Sequence, residues 1–96
     1  MNQLLLAARI AEISALRHTP AGIPAIDVML EHQSEQTEAG TPRQVAMAMK
    51  AVAFGAMAEA LAAQTMGSQW RFSGFLAAAR GGKHPVLHIQ SFVPDS

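Results

Sequence analysis

Four turn signals divide this chain into short runs, and that division limits what it can fold into. The signals are Thr19–Gly22, Gly40–Pro42, Gly67–Ser68 and Gly81–Gly82. Clusters of glycine and proline mark turns because glycine reaches positive φ angles and proline fixes its own φ. The runs between them have the spacing of strands in a small sandwich or barrel. With 96 residues, we expect residues 1–96 to form one domain.

Alanine makes up 19 of the 96 residues, so helix propensity alone would predict a helical protein. The alternation of apolar and polar residues indicates strands instead. In the run Ile23–His32, aliphatic residues alternate with Asp27, Met29 and Glu31, which places both carboxylates on one solvent face. The run Val45–Phe54 also alternates, but its apolar residues fit a helical period as well. Strand and helix therefore both remain open there.

The other runs complete an order that is rich in strands. In chain order, we expect an undecided run at 4–16, a short helix at 56–64, a strand at 69–80, a tight turn at 80–83 and a strand at 86–93. Gly74, in the middle of its strand, predicts a bulge or a tight bend of the barrel. Three strands, a helix and two strands is the order of the OB-fold. We therefore predict an all-β, five-stranded Greek-key barrel with one short helix between strands 3 and 4.

The net charge of zero conceals an uneven distribution. Residues 60–94 carry three basic residues and no acid, whereas residues 1–59 carry four basic and six acidic residues. Arg80 and Lys83 fall in the loop between the last two predicted strands, a loop that OB-folds use to contact oligonucleotides. They either bind phosphates or only keep a glycine turn soluble. The acidic run Glu31, Glu35 and Glu38 is expected to repel a phosphate backbone, as a solvated loop or as a surface for a basic partner protein.

Catalytic and metal-binding patterns are weak. His84 and His88 would converge on a metal if they lay on a helix, but on a strand they are about 13 Å apart. Asp27 and Glu31 have the same spacing and meet the same objection as paired catalytic acids. No motif for a nucleophile or a phosphate-binding loop occurs, and cysteine is absent. We therefore expect no enzymatic activity, no metal and no cofactor.

Location and membrane association follow from the apolar runs. The longest of them are far shorter than the roughly 18 residues of a membrane span. The first residues also lack the basic segment of a signal peptide, which makes the cytoplasm the expected compartment.

One stretch is far more specific than these patterns. It reads Leu-Glu-His-x-Ser-x-Gln-x-Glu-Ala-Gly-x-x-Arg-Gln over residues 30–44. The flanking motifs are Asn2 and Leu4 at the start, Gly22-Ile23-Pro24, Gly74-Phe75 and Val86-Leu87-His88. With these residues the chain resembles the PriB family (primosomal replication protein N), which are replication-restart proteins of bacteria. The resemblance favours strand over helix for residues 45–54.

The resemblance also implies a function. Members of the family are OB-fold homodimers that bind single-stranded DNA in the replication-restart primosome. They stabilise the restart helicase, which is of the PriA type, and bridge it to a later loading factor of the DnaT type. The alternative function is a protein scaffold of the primosome whose DNA contact is weak or incidental.

The candidate DNA-binding residues are Arg17, Arg43, Lys50, Arg71, Arg80, Lys83 and His84. Arg17 and Arg43 match basic DNA-contacting positions of the family, and Arg80 matches the start of its basic loop, which Lys83 and His84 continue. Trp70 and Phe72 share a strand face and form either a base-stacking platform or part of the core.

Two departures from the family pattern concern DNA binding. Ala46 stands where enterobacterial members carry a tryptophan that stacks on a base, and the basic loop is shorter and poorer in lysine. Both changes weaken binding. We therefore predict modest, salt-sensitive affinity for single-stranded DNA.

Overall fold

Strands dominate the structure, a computed structural model that describes residues 1–95. The elements are β1 (Leu4–Ile13), β2 (Arg17–His18), β3 (Pro24–Glu38), β4 (Thr41–Phe54), α1 (Ala56–Ala62), β5 (Gln69–Ala78) and β6 (Pro85–Pro94). Of the two runs that residue patterns left undecided, 45–54 is a strand throughout and 4–16 is a strand as far as Ile13. The helix begins where predicted but ends at Ala62 rather than Gln64.

Within residues 1–95, five long strands close into a barrel. Their order is β1-β5-β6-β4-β3, and β3 pairs back onto β1 from Arg9–Glu31 to Ile13–Val28. β4 and β6 run parallel, whereas the other neighbours are antiparallel. The two-residue β2, which is not predicted, pairs with β3 outside this closure. The predicted OB-fold barrel, with its helix between the third and fourth long strands, is confirmed.

The core is filled from alternate positions of the long strands. Ile26, Val28 and Leu30 of β3 point inward, as the period-two pattern predicts. α1 packs Ala58 and Leu61 into the same core. The buried residues of this cluster are Leu6, Ala8, Ile10, Ile26, Val28, Leu30, Ala51, Ala53, Ala58, Leu61, Phe72, Leu87 and Ile89.

β3 and β4 continue together beyond the barrel as a two-stranded arm. They pair without a break from Ala25–Phe54 to Glu38–Thr41, and Ala39 and Gly40 form the turn with φ angles of 51° and 76°. The predicted loop around Glu31, Glu35 and Glu38 is therefore wrong, because these residues belong to β3. Cross-strand partners on β1 and β4 hold their carboxylates, so a polar strand is stable here.

The connection between β5 and β6 differs from the tight turn predicted at 80–83. β5 ends at Ala78 and β6 begins at Pro85, which leaves the six-residue loop 79–84. The N–H of Ala79 donates to the His84 carbonyl (3.1 Å) and the N–H of Gly82 donates to the Ala79 carbonyl (2.8 Å). The β5–β6 register shifts between Ser73 and Gly74, so the pairing is irregular at the predicted place, but the extra residue is Gln90 and the bulge lies on β6 opposite Gly74.

Candidate nucleic-acid interface

A groove runs between β4 and the loop 79–84; we call it the β4 groove. Its volume is about 420 Å³. Alternation along β4 puts Lys50 on the outer surface, directly opposite Met29 of β3. Gly82 and His84 contribute the loop side of the groove, and Val86 lies at the start of β6. Apolar walls and basic side chains therefore meet in one channel.

A larger cleft opens from the same place. Its volume is about 860 Å³, and it shares Met29, Lys50, Ala79 and Val86 with the β4 groove. The other lining residues are Ala11, Glu12, Ile13, Ser14, Asp27, Val28, Ala51 and Met66. Both volumes lie in the range of ligand-binding sites, roughly 300–1,000 Å³. The two spaces together form one continuous depression beside the loop.

Four of the seven Lys and Arg residues are held in exposed ion pairs. The pairs are Arg9–Glu31, Arg17–Asp27, Arg43–Glu38 and Arg71–Asp95. Among residues 1–95, Lys50, Arg80 and Lys83 take part in no ion pair. These three cations lie in the β4 groove or in the loop beside it, so their charges face solvent rather than a carboxylate.

Arg17 lies beside the larger cleft, because it is paired with Asp27, which lines that cleft. Its Nε donates to Asp27 Oδ2 at 3.0 Å and its Nη2 lies 3.3 Å from Asp27 Oδ1. The hydrogen bond and the negative charge of Asp27 raise the pKa of the Arg17 guanidinium above its ordinary value. Arg17 therefore stays charged, but a phosphate would have to compete with Asp27 for it.

The other two paired candidates lie away from the groove. Arg43 is near the tip of the arm, where Nη1 donates to Glu38 Oε1 at 2.7 Å. Arg71 is on the outer surface of β5 opposite Val93, with Asp95 at 3.4 Å. Val93 is about 30 Å along β6 from the loop, at roughly 3.3 Å per residue. The structure thus places Lys50 and His84 in the lining of one groove and leaves Arg43 and Arg71 apart. Arg80 and Lys83 share the loop with His84, but Lys83 lines a separate depression beside β5.

Trp70 and Phe72 both pack toward the core. Phe72 is 0% exposed, so its predicted stacking role is corrected to a core role. Trp70 is half-buried, meets the ring of Phe92 edge-on at 4.9 Å, and donates from Nε1 to Ser68 Oγ at 2.8 Å. These contacts hold the indole against the core.

Phe54 is an exposed aromatic residue that the predicted site omits. It is 43% exposed at the end of β4 and lies on the same outer face as Lys50. Its ring lies 6.0 Å from that of His88, which in turn stacks on Phe75 at 4.8 Å with 14° between the planes. Once residues 45–54 are a strand, the four-residue spacing from Lys50 to Phe54 is the signal that could have identified it.

Several residues of the sequence motif serve the fold. His32, Ser34 and Gln36 share one face of β3, where His32 Nδ1 contacts the Ala7 carbonyl oxygen (2.6 Å) and Nε2 contacts Ser34 Oγ (2.7 Å). Gln36 Nε2 donates to the same hydroxyl at 3.1 Å. β1 pairs with β3 only from Arg9 onward, so His32 satisfies a strand carbonyl where β3 leaves the barrel. The two-residue spacing of the motif follows from this hydrogen-bonded chain.

Metal binding finds no support in the placement of the histidines. His84 lies in the loop, whereas His88 lies in β6 within its aromatic stack. Residues 1–95 contain no group of three or more His, Asp or Glu side chains arranged to hold a metal ion. In the same part of the chain, no helix has the length and apolar character needed to cross a bilayer.

Comparison with known proteins yields consistent matches. Residues 2–91 match a family model described as "Another single-strand binding protein family". Replication restart protein PriB of Bordetella pertussis is 48% identical over 91 residues, which cover 94% of this chain and 85% of that protein. The structure of PriB from Ralstonia solanacearum superposes with a TM-score of 0.92 and 32% identity, covering 100% of this chain and 99% of that one.

A more distant match concerns the fold alone. The wild-type single-stranded DNA binding protein from Thermus aquaticus has a TM-score of 0.78 at 22% identity, and the match covers 100% of this chain and 50% of that one.

Proposed function

The chain belongs to the PriB family of replication restart proteins, and from that premise we propose that it binds single-stranded DNA along the β4 groove. The observation that carries the proposal is that Lys50 lines the β4 groove, and that Arg80 and Lys83 lie in the loop 79–84 that forms its other side; none of the three has a carboxylate partner among residues 1–95. Phosphates bind there without displacing an acidic side chain. Each such contact releases counterions, so binding weakens as salt increases.

The outer face of β4 provides a path from the loop to an exposed ring. Lys50 and Phe54 lie on that face about 13 Å apart, at roughly 3.3 Å per residue. The backing of Phe54 by His88 and Phe75 holds its ring in place. A base stacking on Phe54 contributes about 1–3 kcal/mol, which partly offsets the tryptophan that Ala46 replaces.

The paired arginines have a secondary role in this proposal. Arg17 flanks the cleft and Arg43 lies on the arm, so both contact a longer strand only by exchanging a carboxylate for a phosphate. That exchange limits their contribution and keeps the affinity modest. The same pairing supports the alternative, in which the protein is mainly a scaffold for the PriA-type helicase and the DnaT-type loading factor in the cytoplasm. Neither role requires a cofactor or a catalytic group.

We also propose that the protein is a homodimer. The outer face of β1, β5 and β6 exposes Leu5 (66%) and Val93 (49%), which a monomer leaves in water. Beside them, residues 4–8 of β1 have no pairing with β3, so a strand edge is available to a second chain. A dimer presents two β4 grooves, and two linked sites bind a long strand more tightly than one.

Light scattering of wild type and Leu5→Glu tests the proposed dimer. Wild type is expected to have the mass of a dimer and Leu5→Glu that of a monomer; a monomeric wild type would refute the proposal.

The binding test is a titration of labelled oligothymidylate followed by fluorescence anisotropy at a low and a high salt concentration. We expect binding that weakens with salt, and a double variant Lys50→Ala/Lys83→Ala that lowers the slope of log K against log salt by about 1.4. Phe54→Leu is expected to lose about ten-fold in affinity, whereas Phe54→Trp retains it.

Arg71→Ala is the matched control, because Arg71 lies on β5 opposite Val93, at the end of the β5–β6 pair that is far from the loop. Equal losses in this control and in the double variant would place the DNA path elsewhere. Undetectable binding at low salt, with restart-helicase stimulation intact, would instead favour the scaffold role.

A further inference from the structure

We propose that Glu12, Met29 and Lys50 form a seat for one nucleotide, with Met29 beneath the base, Lys50 at the phosphate and Glu12 at the edge of the base. The inference rests on the proposed single-strand binding and assigns the side chains that contact the base. It concerns a different position from Phe54, which lies farther along β4.

The three residues form one row across the barrel wall. Glu12 of β1 is the register partner of Met29 of β3, and Met29 is the partner of Lys50 of β4. Directly opposed residues on one face have Cβ atoms about 4.5–5.5 Å apart. Met29 and Lys50 line both the β4 groove and the larger cleft, and Glu12 lines the cleft. The row therefore lies where the two spaces join.

The chemistry of the row matches the parts of a nucleotide in order. A nucleotide has an apolar base face, an anionic phosphate on one side and polar base edges on the other. Met29 and its neighbour Val86 provide the apolar surface, and Lys50 provides a cation that no carboxylate engages within residues 1–95. Glu12 repels a phosphate, so the backbone is directed to the Lys50 side.

A methionine suits a base contact that tolerates different sequences. Its side chain is unbranched and polarisable, adapts its shape, and makes favourable contacts between sulfur and aromatic rings. Neither phenylalanine nor tryptophan lines the β4 groove or the larger cleft. In this chain, Met29 supplies the base-contacting surface at that point.

Glu12 gives the seat a preference among bases. A carboxylate accepts hydrogen bonds but donates none. Cytosine presents an amino donor at its edge, whereas thymine presents a carbonyl at the same position. We therefore expect the seat to favour cytosine over thymine by about three-fold.

The test compares an ordinary oligonucleotide with an abasic strand of the same length by fluorescence anisotropy at low salt. Wild type is expected to bind the ordinary strand about fifty-fold more tightly, because the abasic strand loses the base contacts of both Phe54 and Met29. Met29→Ala is expected to lose about five-fold on the ordinary strand and nothing on the abasic strand, whereas Lys50→Ala weakens binding to both. Met47→Ala is the matched control, an exposed methionine of β4 outside both spaces, and is expected to bind as wild type does.

Thermal melting of each variant verifies that it folds. If Met29→Ala does not fold, Met29→Leu replaces it in the test, because leucine keeps an apolar side chain but removes the sulfur. Wild-type binding that ignores the bases, or equal affinities of Met29→Ala and Met47→Ala, would overturn the seat while leaving single-strand binding intact. Wild type that binds neither strand overturns the proposed function as well. The base preference is tested with oligodeoxycytidylate and oligothymidylate, and Glu12→Ala is expected to abolish it; a preference that persists removes Glu12 from the seat.

Discussion

Gly74 and His88 approach so closely that a Cβ atom on residue 74 would lie 1.8 Å from the His88 carbonyl oxygen. No side chain fits that space, because the obstacle is backbone rather than a movable side chain. The contact occurs where β6 bulges opposite Gly74, and it involves the histidine that supports Phe54. Barrel closure and the exposed ring of the candidate site therefore depend on the same glycine.

Gly74→Ala is accordingly expected to destabilise the fold by about 3 kcal/mol or more, because strands β5 and β6 must separate locally. For a domain of this size the melting temperature falls by more than about 10 °C. Gly82→Ala is the control, since its nearest contact is the Ala79 methyl group at 3.3 Å. Equal melting temperatures for the two variants would contradict the proposed packing.

Removing an acidic partner is expected to strengthen DNA binding. Asp27→Asn leaves Arg17 available, so we expect the affinity for single-stranded DNA to rise about two-fold and the salt slope to steepen by about 0.7. Glu38→Gln is the equivalent change for Arg43 on the arm. A slope that stays the same in either variant means that the corresponding arginine makes no phosphate contact.

The increase in DNA affinity caused by Asp27→Asn is expected not to change with pH as long as Arg17 stays charged. In wild type, the hydrogen bond and the charge of Asp27 raise the pKa of this guanidinium; the variant lacks that effect, but its arginine is still charged at neutral pH. The stabilising effect is complete below the unfolded-state pKa and is lost only as pH rises through the higher, folded-state value. Repeating the titrations between about pH 6 and about pH 9 leaves the arginine charged throughout.

Restoring an aromatic ring to the arm is expected to increase affinity. Ala46 lies on the outer face of β4, opposite Gln33 and four residues before Lys50. Ala46→Trp therefore places an indole about 13 Å from Lys50 on the same face. We expect about ten-fold tighter binding of oligonucleotides long enough to reach the arm. Met47→Trp, which faces the other way, is the comparison; a similar gain there would indicate a non-specific effect of the added ring.

The hydrogen-bonded chain on β3 is expected to stabilise the base of the arm. His32→Ala leaves the Ala7 carbonyl without its partner at a half-buried position, at a cost of about 1–3 kcal/mol. The melting temperature is expected to fall by about 4–8 °C per kcal/mol. Gln36→Ala removes only the exposed end of the chain and is expected to change little. Equal melting temperatures for the two variants would show that the hydrogen bond of His32 to the Ala7 carbonyl does not contribute this stability.

Residue patterns predicted much of this barrel because burial imposes a period of two. The alternation around Asp27 and the irregular pairing at Gly74 are both present, and the helix begins at Ala56. The pairing of β3 and β4 in the arm could not be predicted from a period of two. Its strands are polar, and their pairing depends on cross-strand partners such as Glu38 and Arg43 rather than on a buried face.

The candidate site was harder to predict than the fold because ion pairing is invisible in the composition. Counting charges makes Arg17 and Lys50 equivalent, although only Arg17 has a carboxylate beside it. The same limit applies to aromatic residues: Phe72 and Phe54 differ in exposure, which depends on the phase of each strand and on the closure of the barrel.

The sharing of β1 between two neighbours has a consequence for the order of folding. Its first half pairs with β5 and its second half with β3, so β1 bridges segments that are distant in the chain. Such non-local pairing slows folding. During synthesis, β1 emerges first but completes its pairing only after β5, and the β4 groove forms only when β6 follows. A nascent chain can therefore extend its arm while it still has no groove to receive DNA.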